Sequence, residues 1–257
     1  MPESDLTLLI DAARQAGDTA RACLSEPLDI RYKDAGAGPV THADLAVNTL
    51  LHRVLGGARP HYGWLSEESP DSAARLGADR VFIVDPIDGT RSFIDGEKTW
   101  AHSIAVAEHG RIRAAVVYLP LLDRLYAAAE GAGARLNGAP IAVTRRASAE
   151  GGTILAKKPT FDTGNWPGGV PGMTRAHRPS LAYRLSLVAE GRYDAMLTLR
   201  PTWEWDIAAG ALILSEAGAQ VTDRRGAPLR FNNAHPQTDG VLAANAALHG
   251  DLLDRLL

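Results

Sequence analysis

The sequence predicts a mixed α and β protein, and three observations carry that reading. Apolar residues recur at helical spacing in the first two segments. Short β-branched runs separated by turn residues follow, as antiparallel strands require. From about Gly151, strand and helix patterns alternate. An antiparallel first half with flanking helices, then a βα-alternating second half, is the expected architecture. The boundary falls near residue 145, which sets expected domains at 1–145 and 146–257.

Ser4 ahead of Leu6, Leu8, Leu9, Ala12, Ala13 and Ala16 predicts a capped amphipathic helix ending near Cys23. Thr41 opens a second helix, with Val47, Leu50, Leu51 and Val54 on one stripe and Gly56-Gly57 as its stop. Strands are expected at Val81–Val84, His102–Ala107, Ala114–Leu119, Leu125–Ala128 and Pro140–Val143. In the second half the order is strand Thr153–Ala156, helix Ser180–Glu190, strand Ala195–Leu199 and helix Asp206–Ala217. Strand Gln220–Thr222, strand Val241–Ala244 and helix Ala246–Leu257 complete it. Asp162–Pro179, rich in Pro and Gly, reads as the least structured stretch, a loop or connector.

The 257 residues are 46% apolar and 22% charged, which excludes disordered and fibrous classes. Lys and Arg total 27 against 30 Asp and Glu, a net charge of −3, so no nucleic-acid polymer or anionic membrane is expected as partner. The single cysteine, Cys23, excludes an intramolecular disulfide and a four-cysteine zinc site. Met1–Leu6 carries two acids and no basic stretch, unlike a secretory signal. The apolar runs Ala114–Leu122 and Ile207–Leu214 are too short for a membrane span. A soluble cytoplasmic protein is the expectation.

Three acidic clusters lie beside apolar runs, where charge is costly. They are Glu67-Glu68 after Trp64-Leu65-Ser66, Asp85-Pro86-Ile87-Asp88-Gly89-Thr90 after Val81–Val84, and Trp205-Asp206 before Ile207-Ala208-Ala209-Gly210. Taken alone, each has a plain reading: a solvated loop, a turn, or a helix N-cap at Asp206. The second resists it best, because a buried strand delivers two acids three residues apart and Pro86 stiffens the turn. If Glu67, Asp85, Asp88 and Asp206 converge, like charges about 4 Å apart repel by about 4 kcal/mol at an effective dielectric of about 20. Such a site either raises carboxylate pKa values or binds hard cations. With no cysteine or paired histidine beside them, Mg²⁺ or Mn²⁺ fits better than zinc. Carboxylates shared between two metals are the usual apparatus for phosphate ester hydrolysis.

Together these motifs resemble the signatures of the inositol monophosphatase superfamily, Mg²⁺-dependent and typically lithium-sensitive phosphomonoesterases. Supporting matches run from Pro39-Val40-Thr41 with Asp44, through Leu136-Asn137-Gly138, to Val188-Ala189-Glu190-Gly191. The resemblance implies an α/β layered sandwich of alternating α-β-α-β-α layers. It implies Glu67, Asp85 and the Ile87 carbonyl as ligands of one Mg²⁺, and Asp85, Asp88 and Asp206 as ligands of a second. Glu68 would stand behind them or reach a third metal through water. Asp44 and Thr90 resemble the pair that orients and deprotonates the attacking water, while Gly89 and Thr90 N–H groups would hold the phosphate. Family members are often homodimers; the residues here give no independent sign of one.

The substrate would be a small phosphorylated metabolite. Inositol monophosphatases usually carry Glu seven residues before the Asp of Trp-Asp, a position held here by Leu199. Loss of an acceptor for ring hydroxyls disfavours inositol phosphate. Pro201-Thr202 ahead of Trp205-Asp206, with Pro39–Asp44, resembles bacterial 3'(2'),5'-bisphosphate nucleotidases instead. Arg91-Ser92-Phe93-Ile94 resembles histidinol-phosphate phosphatases. Arg200, Arg184 and Arg178 are candidates for holding a second phosphate, with solvated surface roles as the alternative. A non-catalytic relative binding RNA or a protein partner is the reading from another class; no expected metal ligand is missing, which disfavours it.

Overall fold

The computed structural model describes residues 4–33 and 38–256. The described chain stacks five layers, helix, sheet, helix, sheet and helix, in the order the resemblance implies.

A helical pair makes the first layer. Helix α1 (Asp5–Cys23) begins where Ser4 Oγ accepts the Thr7 N–H at 3.2 Å. Strands β1 (Ile30–Tyr32) and β2 (Pro39–Thr41) pair antiparallel and lead into α2 (His42–Ala58). The start of α2 is a capping box between Thr41 and Asp44, which fixes Asp44 in the first turn. The helix runs one residue past Gly57.

The first sheet has seven strands in chain order: β3 (Gly63–Ser66), β4 (Arg80–Asp88), β5 (Ala101–Glu108), β6 (Arg111–Leu119), β7 (Arg124–Ala129), β8 (Ala134–Leu136) and β9 (Ala139–Pro140). Only β3 and β4 are parallel, and the one-turn helix α3 (Thr90–Ile94) follows β4. Period-two alternation divides β4 between two cores: Phe82 and Val84 pack toward α1 and α2, Val81 and Ile83 toward the opposite face. The strand expected at Pro140–Val143 shrinks to Ala139–Pro140. The Val143 N–H turns instead to the Ala217 carbonyl at 3.1 Å, so the chain leaves the sheet.

Next come β10 (Thr153–Leu155), β11 (Thr174–Ala176), α4 (Leu181–Ala189), β12 (Ala195–Thr198), β13 (Thr202–Trp203) and α5 (Glu204–Glu216). Strands β14 (Ala219–Thr222), β15 (Gln237–Thr238) and β16 (Val241–Asn245) precede α6 (Ala246–Leu256). The second sheet is mixed, ordered β11-β10-β12-β16-β14, and α6 covers its outer face through Leu248 and Leu252. Asp162–Pro179 is more ordered than its composition suggests. It holds a one-turn 3₁₀ helix and edge strand β11, and Trp166 is buried with its indole N–H on the Thr160 carbonyl at 2.8 Å.

Helices α4 and α5 lie between the two sheets and are apolar nearly all round, which accounts for the Ile207–Leu214 run. No helix among the described residues is long and apolar enough to cross a membrane. The two helices approach closely at Gly210, where an added Cβ would meet Leu185 Cβ at 2.7 Å. Gly210→Ala should therefore cost about 1–3 kcal/mol by overpacking, read from urea midpoints. An unchanged midpoint would show that the helices can part freely.

Candidate active site

Parallel pairing places the first two acidic clusters side by side. Ser66 lies opposite Val84, and the Glu67 N–H reaches the Val84 carbonyl at 3.2 Å, so Glu67 emerges next to Asp85. Past Asp85 the ladder to β5 shifts and resumes at Asp88. Asp85 Oδ1 accepts the Ile87 N–H at 3.0 Å, which closes this irregular stretch around Pro86. Gly89 then adopts φ +99°, a left-handed turn that a side chain would strain, and starts α3 at Thr90.

Asp206 arrives from the middle layer. Helix α5 begins at Glu204, so Asp206 is its third residue and not the cap the sequence suggests. The buried Glu204 carboxylate accepts N–H groups of Asn232 (2.6 Å) and Asn233 (3.0 Å), anchoring the helix start. On the other side, Ser103 Oγ donates to the Trp205 carbonyl at 2.9 Å.

One carboxylate oxygen each from Glu67, Asp85 and Asp206 lies within 4.8 Å of the others. Burial, then Glu67, Asp88 and Asp206, push Asp85 well above the usual carboxylate range. Burial and Asp88 do the same to Asp206. Glu68 is pushed up to about 7 by burial, with Lys33 opposing. Asp88 rises to about 6 for the same first reason, while hydrogen bonds from Ser180 Oγ (2.7 Å) and the Ala182 N–H (2.6 Å) to its Oδ2 hold it down. Asp88 thus stands beside the triad with one oxygen already engaged.

A cation does meet the acids. Lys33 Nζ lies 2.8 Å from Glu67 and 2.5 Å from Glu68. An all-oxygen donor set, in which burial and like charge raise Asp85 and Asp206 and which already draws an ammonium group, fits a hard divalent cation. Lys33 is separated from these glutamates by more than thirty residues, and no local pattern announces it. Ser180 also caps α4 by accepting the Tyr183 N–H.

Asp44 and Thr90 are brought together. Asp44 Oδ2 accepts the Thr41 N–H (2.8 Å) and hydroxyl (2.6 Å), leaving Oδ1 to face Thr90 Oγ1 at 3.1 Å. Burial raises the Asp44 pKa. Thr90 Oγ1 is also 3.2 Å from the Ile87 carbonyl, which ties that carbonyl to the same corner. His102, buried beneath, sets Nδ1 against the Pro86 carbonyl at 2.5 Å, and burial pushes it down to about 4.

The arginine candidates separate. Arg178 turns to Tyr193, with its guanidinium 3.2 Å from the phenol oxygen. Arg184 is buried and donates to the carbonyls of Arg178 and Pro179, while its Nη2 meets His177 Nε2 at 2.8 Å. Its work is to hold the 177–180 turn that carries Ser180. Burial, then Arg200, push it down to about 10, against Asp88 and Asp206. Arg200, Lys157 and Arg91 are exposed and make no ion pair or side-chain hydrogen bond among the described residues. Lys157 is lowered by partial burial and then by Arg200, Arg184 and Arg91, so these cations lie close enough to feel one another. Arg200 also acts on Asp206. Leu199 packs into the core beneath α6 and offers no polar group.

The description "Inositol monophosphatase family" matches residues 1–256. The inositol-1-monophosphatase of Rhizobium meliloti (strain 1021) is 34% identical over 232 residues, 86% of each chain. The histidinol-phosphatase of Mycobacterium tuberculosis is 34% identical over 270 residues, 100% of this chain and 99% of the relative. The 3'(2'),5'-bisphosphate nucleotidase CysQ of Escherichia coli (strain K12) is 31% identical over 239 residues, 85% and 90%. Among solved structures, extragenic suppressor protein suhB from Bartonella henselae superposes with a TM-score of 0.81 at 31% identity, covering 97% of both chains.

The raised carboxylates set a pH dependence. Without metal, Glu68 near 7 and Asp88 near 6 keep protons the unfolded chain has released. That stability is complete below about pH 4 and lost as pH rises through about 6 to 7. A bound divalent cation removes those protons, so the rise in melting temperature it produces should grow from about pH 5 to about pH 7.5. His102 and His177 shift in the opposite sense and cancel in this difference. A metal-induced rise that shrinks over that range would contradict the assignment.

Proposed function

The chain belongs to the inositol monophosphatase family, and from that premise we propose a Mg²⁺-dependent phosphomonoesterase acting on a small, doubly phosphorylated metabolite. The observation that supports the chemistry is the Glu67, Asp85 and Asp206 triad set beside the Asp44–Thr90 pair. Glu67, Asp85, Asp88, Asp206 and the Ile87 carbonyl would hold two Mg²⁺ ions, with Glu68 behind them or toward a third. Mn²⁺ fits the same oxygens. When bound, the metal supplies charge neutralisation for the phosphate and acidifies the attacking water.

The chain's own groups do the rest. Thr90 Oγ1 accepts a proton from the attacking water and passes its own to Asp44 Oδ1. Burial makes Asp44 the stronger base, and Thr41 keeps its second oxygen engaged so that Oδ1 stays aimed. Backbone N–H groups of Gly89 and Thr90 would orient the phosphate, whose oxygens would lie across Asp88 and Asp206 through the metal. Ser180, braced by Arg184 and His177, keeps Asp88 in place.

For the substrate, the supporting observation is the group Arg200, Lys157 and Arg91, exposed cations that feel one another and make no ion pair among the described residues, with Arg200 also acting on Asp206. Such a group suits a second phosphate, and adenosine 3',5'-bisphosphate losing its 3'-phosphate is the reading we favour. Inositol 1-phosphate finds no acceptor at Leu199. Histidinol phosphate carries an amine that the same cations repel, and Phe93 of the Arg-Ser-Phe-Ile segment serves the core against Trp100.

Asp206→Asn and Asp88→Asn should each lower kcat by orders of magnitude with the fold retained, and Thr90→Ala should lower kcat more than it raises KM. Wild-type turnover in either Asp variant would assign these acids to structure alone. A charge-assisted contact is worth about 1.5–3 kcal/mol, so kcat/KM for adenosine 3',5'-bisphosphate should exceed that for inositol 1-phosphate by about tenfold or more. Arg200→Ala should erase much of that margin. A tenfold preference for inositol 1-phosphate would overturn the substrate and leave the metal chemistry standing.

A further inference from the structure

Away from the acidic cluster, α2, β3 and the 69–78 segment line an open cleft of about 840 Å³. That volume is in the range of metabolite sites. Its walls are aromatic and cationic. Trp64 and Tyr62 line it, His52 stands edge-on to Trp64 with ring centroids 4.8 Å apart, and Arg53 and His61 complete the rim. No Asp or Glu contributes to the lining. His52, Arg53 and His61 are exposed, and none makes a hydrogen bond or ion pair among the described residues.

The same wall supports the metal-site turn. Asn48 and Ser69 both line the cleft. Asn48 Nδ2 donates to the Glu68 carbonyl at 3.3 Å and to Ser69 Oγ at 3.0 Å, and its Oδ1 accepts the Ser66 hydroxyl at 2.7 Å. The Trp64 indole N–H donates to Ser69 Oγ at 3.0 Å. A ligand pressing on Trp64 and Ser69 therefore pushes on the bonds that position Glu67 and Glu68.

We propose that this cleft is a regulatory site for an aromatic anion, a flat ring carrying a phosphate or carboxylate, coupled to the divalent-cation site through Asn48 and Ser69. The ring packs against Trp64 and Tyr62, and the acidic group meets Arg53, His52 and His61. The coupling rests on the Glu67–Glu68 turn being part of a metal site; the binding does not. By linkage, the ligand and the metal must change each other's affinity by the same factor.

The test is calorimetric titration of the full-length, metal-free protein with adenosine 5'-monophosphate and, separately, indole-3-carboxylate. The two probes distinguish phosphate from carboxylate ligands. Saturable one-to-one binding of either is expected, weakened about tenfold or more in His52→Ala/Arg53→Ala and unchanged in Arg200→Ala. That double variant should keep wild-type turnover, which shows that it folds. Saturating indole-3-carboxylate should also shift the Mg²⁺ dissociation constant by about threefold or more, an effect absent in Asn48→Ala. Binding of neither probe, or binding that survives the double variant and disappears in Arg200→Ala, would overturn the site. Binding at the cleft with an unchanged Mg²⁺ constant would overturn the coupling alone.

Discussion

The structure is organised around a repulsion. Glu67, Asp85, Asp88 and Asp206 are carried into one partly dry corner, where burial and like charge raise the cost of ionising Asp85, Asp88 and Asp206. No fold would bring them together for stability. Everything that positions them is correspondingly stiff: the parallel β3–β4 register sets Glu67 beside Asp85, the Asp85–Ile87 hydrogen bond closes the irregular stretch after it, and Glu204 pins the start of α5. The interaction is unfavourable in the bare protein, and a bound cation would relieve it.

The remaining parts are arranged around that charge. Lys33 pairs directly with Glu67 and Glu68 and also opposes the rise at Asp206. Thr41 and Ser180, both helix caps, make a second interaction with Asp44 and Asp88, so that capping a helix and holding an aspartate are one construction. The middle helical layer can be apolar all round because both its faces meet sheets, and this lets α5 present Asp206 from below while β3 and β4 present their acids from the sheet edge.

Most of this was legible in the residues because it is locally encoded. Ser4, Thr41 and Ser180 mark helix starts through their hydroxyls, and β4 announces itself by an apolar run that ends in acids. The three acidic motifs each contribute a carboxylate to one cluster, Glu67, Asp85 and Asp206. What escaped is long-range or weakly patterned. The two- and three-residue strands β1, β11, β13 and β15 are too short for a period to show. Lys33 reaches Glu67 only through tertiary folding. Arg178 and Arg184 look like free cations in sequence, yet one lies on a tyrosine and the other is buried under a turn. Asp206 resembles a cap because Trp203 and Glu204, which precede it, carry no recognisable start signal; the anchor is the distant Asn232-Asn233 pair.

The central claim is that this self-repelling cluster is a divalent-cation site. Calorimetric titration of Mg²⁺ into metal-free protein at about pH 6.5, repeated in two buffers of different ionisation enthalpy, tests it directly by counting protons released on binding. The account predicts net release, because Glu68, pushed up to about 7, and to a smaller extent Asp88, at about 6, still hold protons at that pH. Binding with no proton release, or no saturable binding, would contradict it.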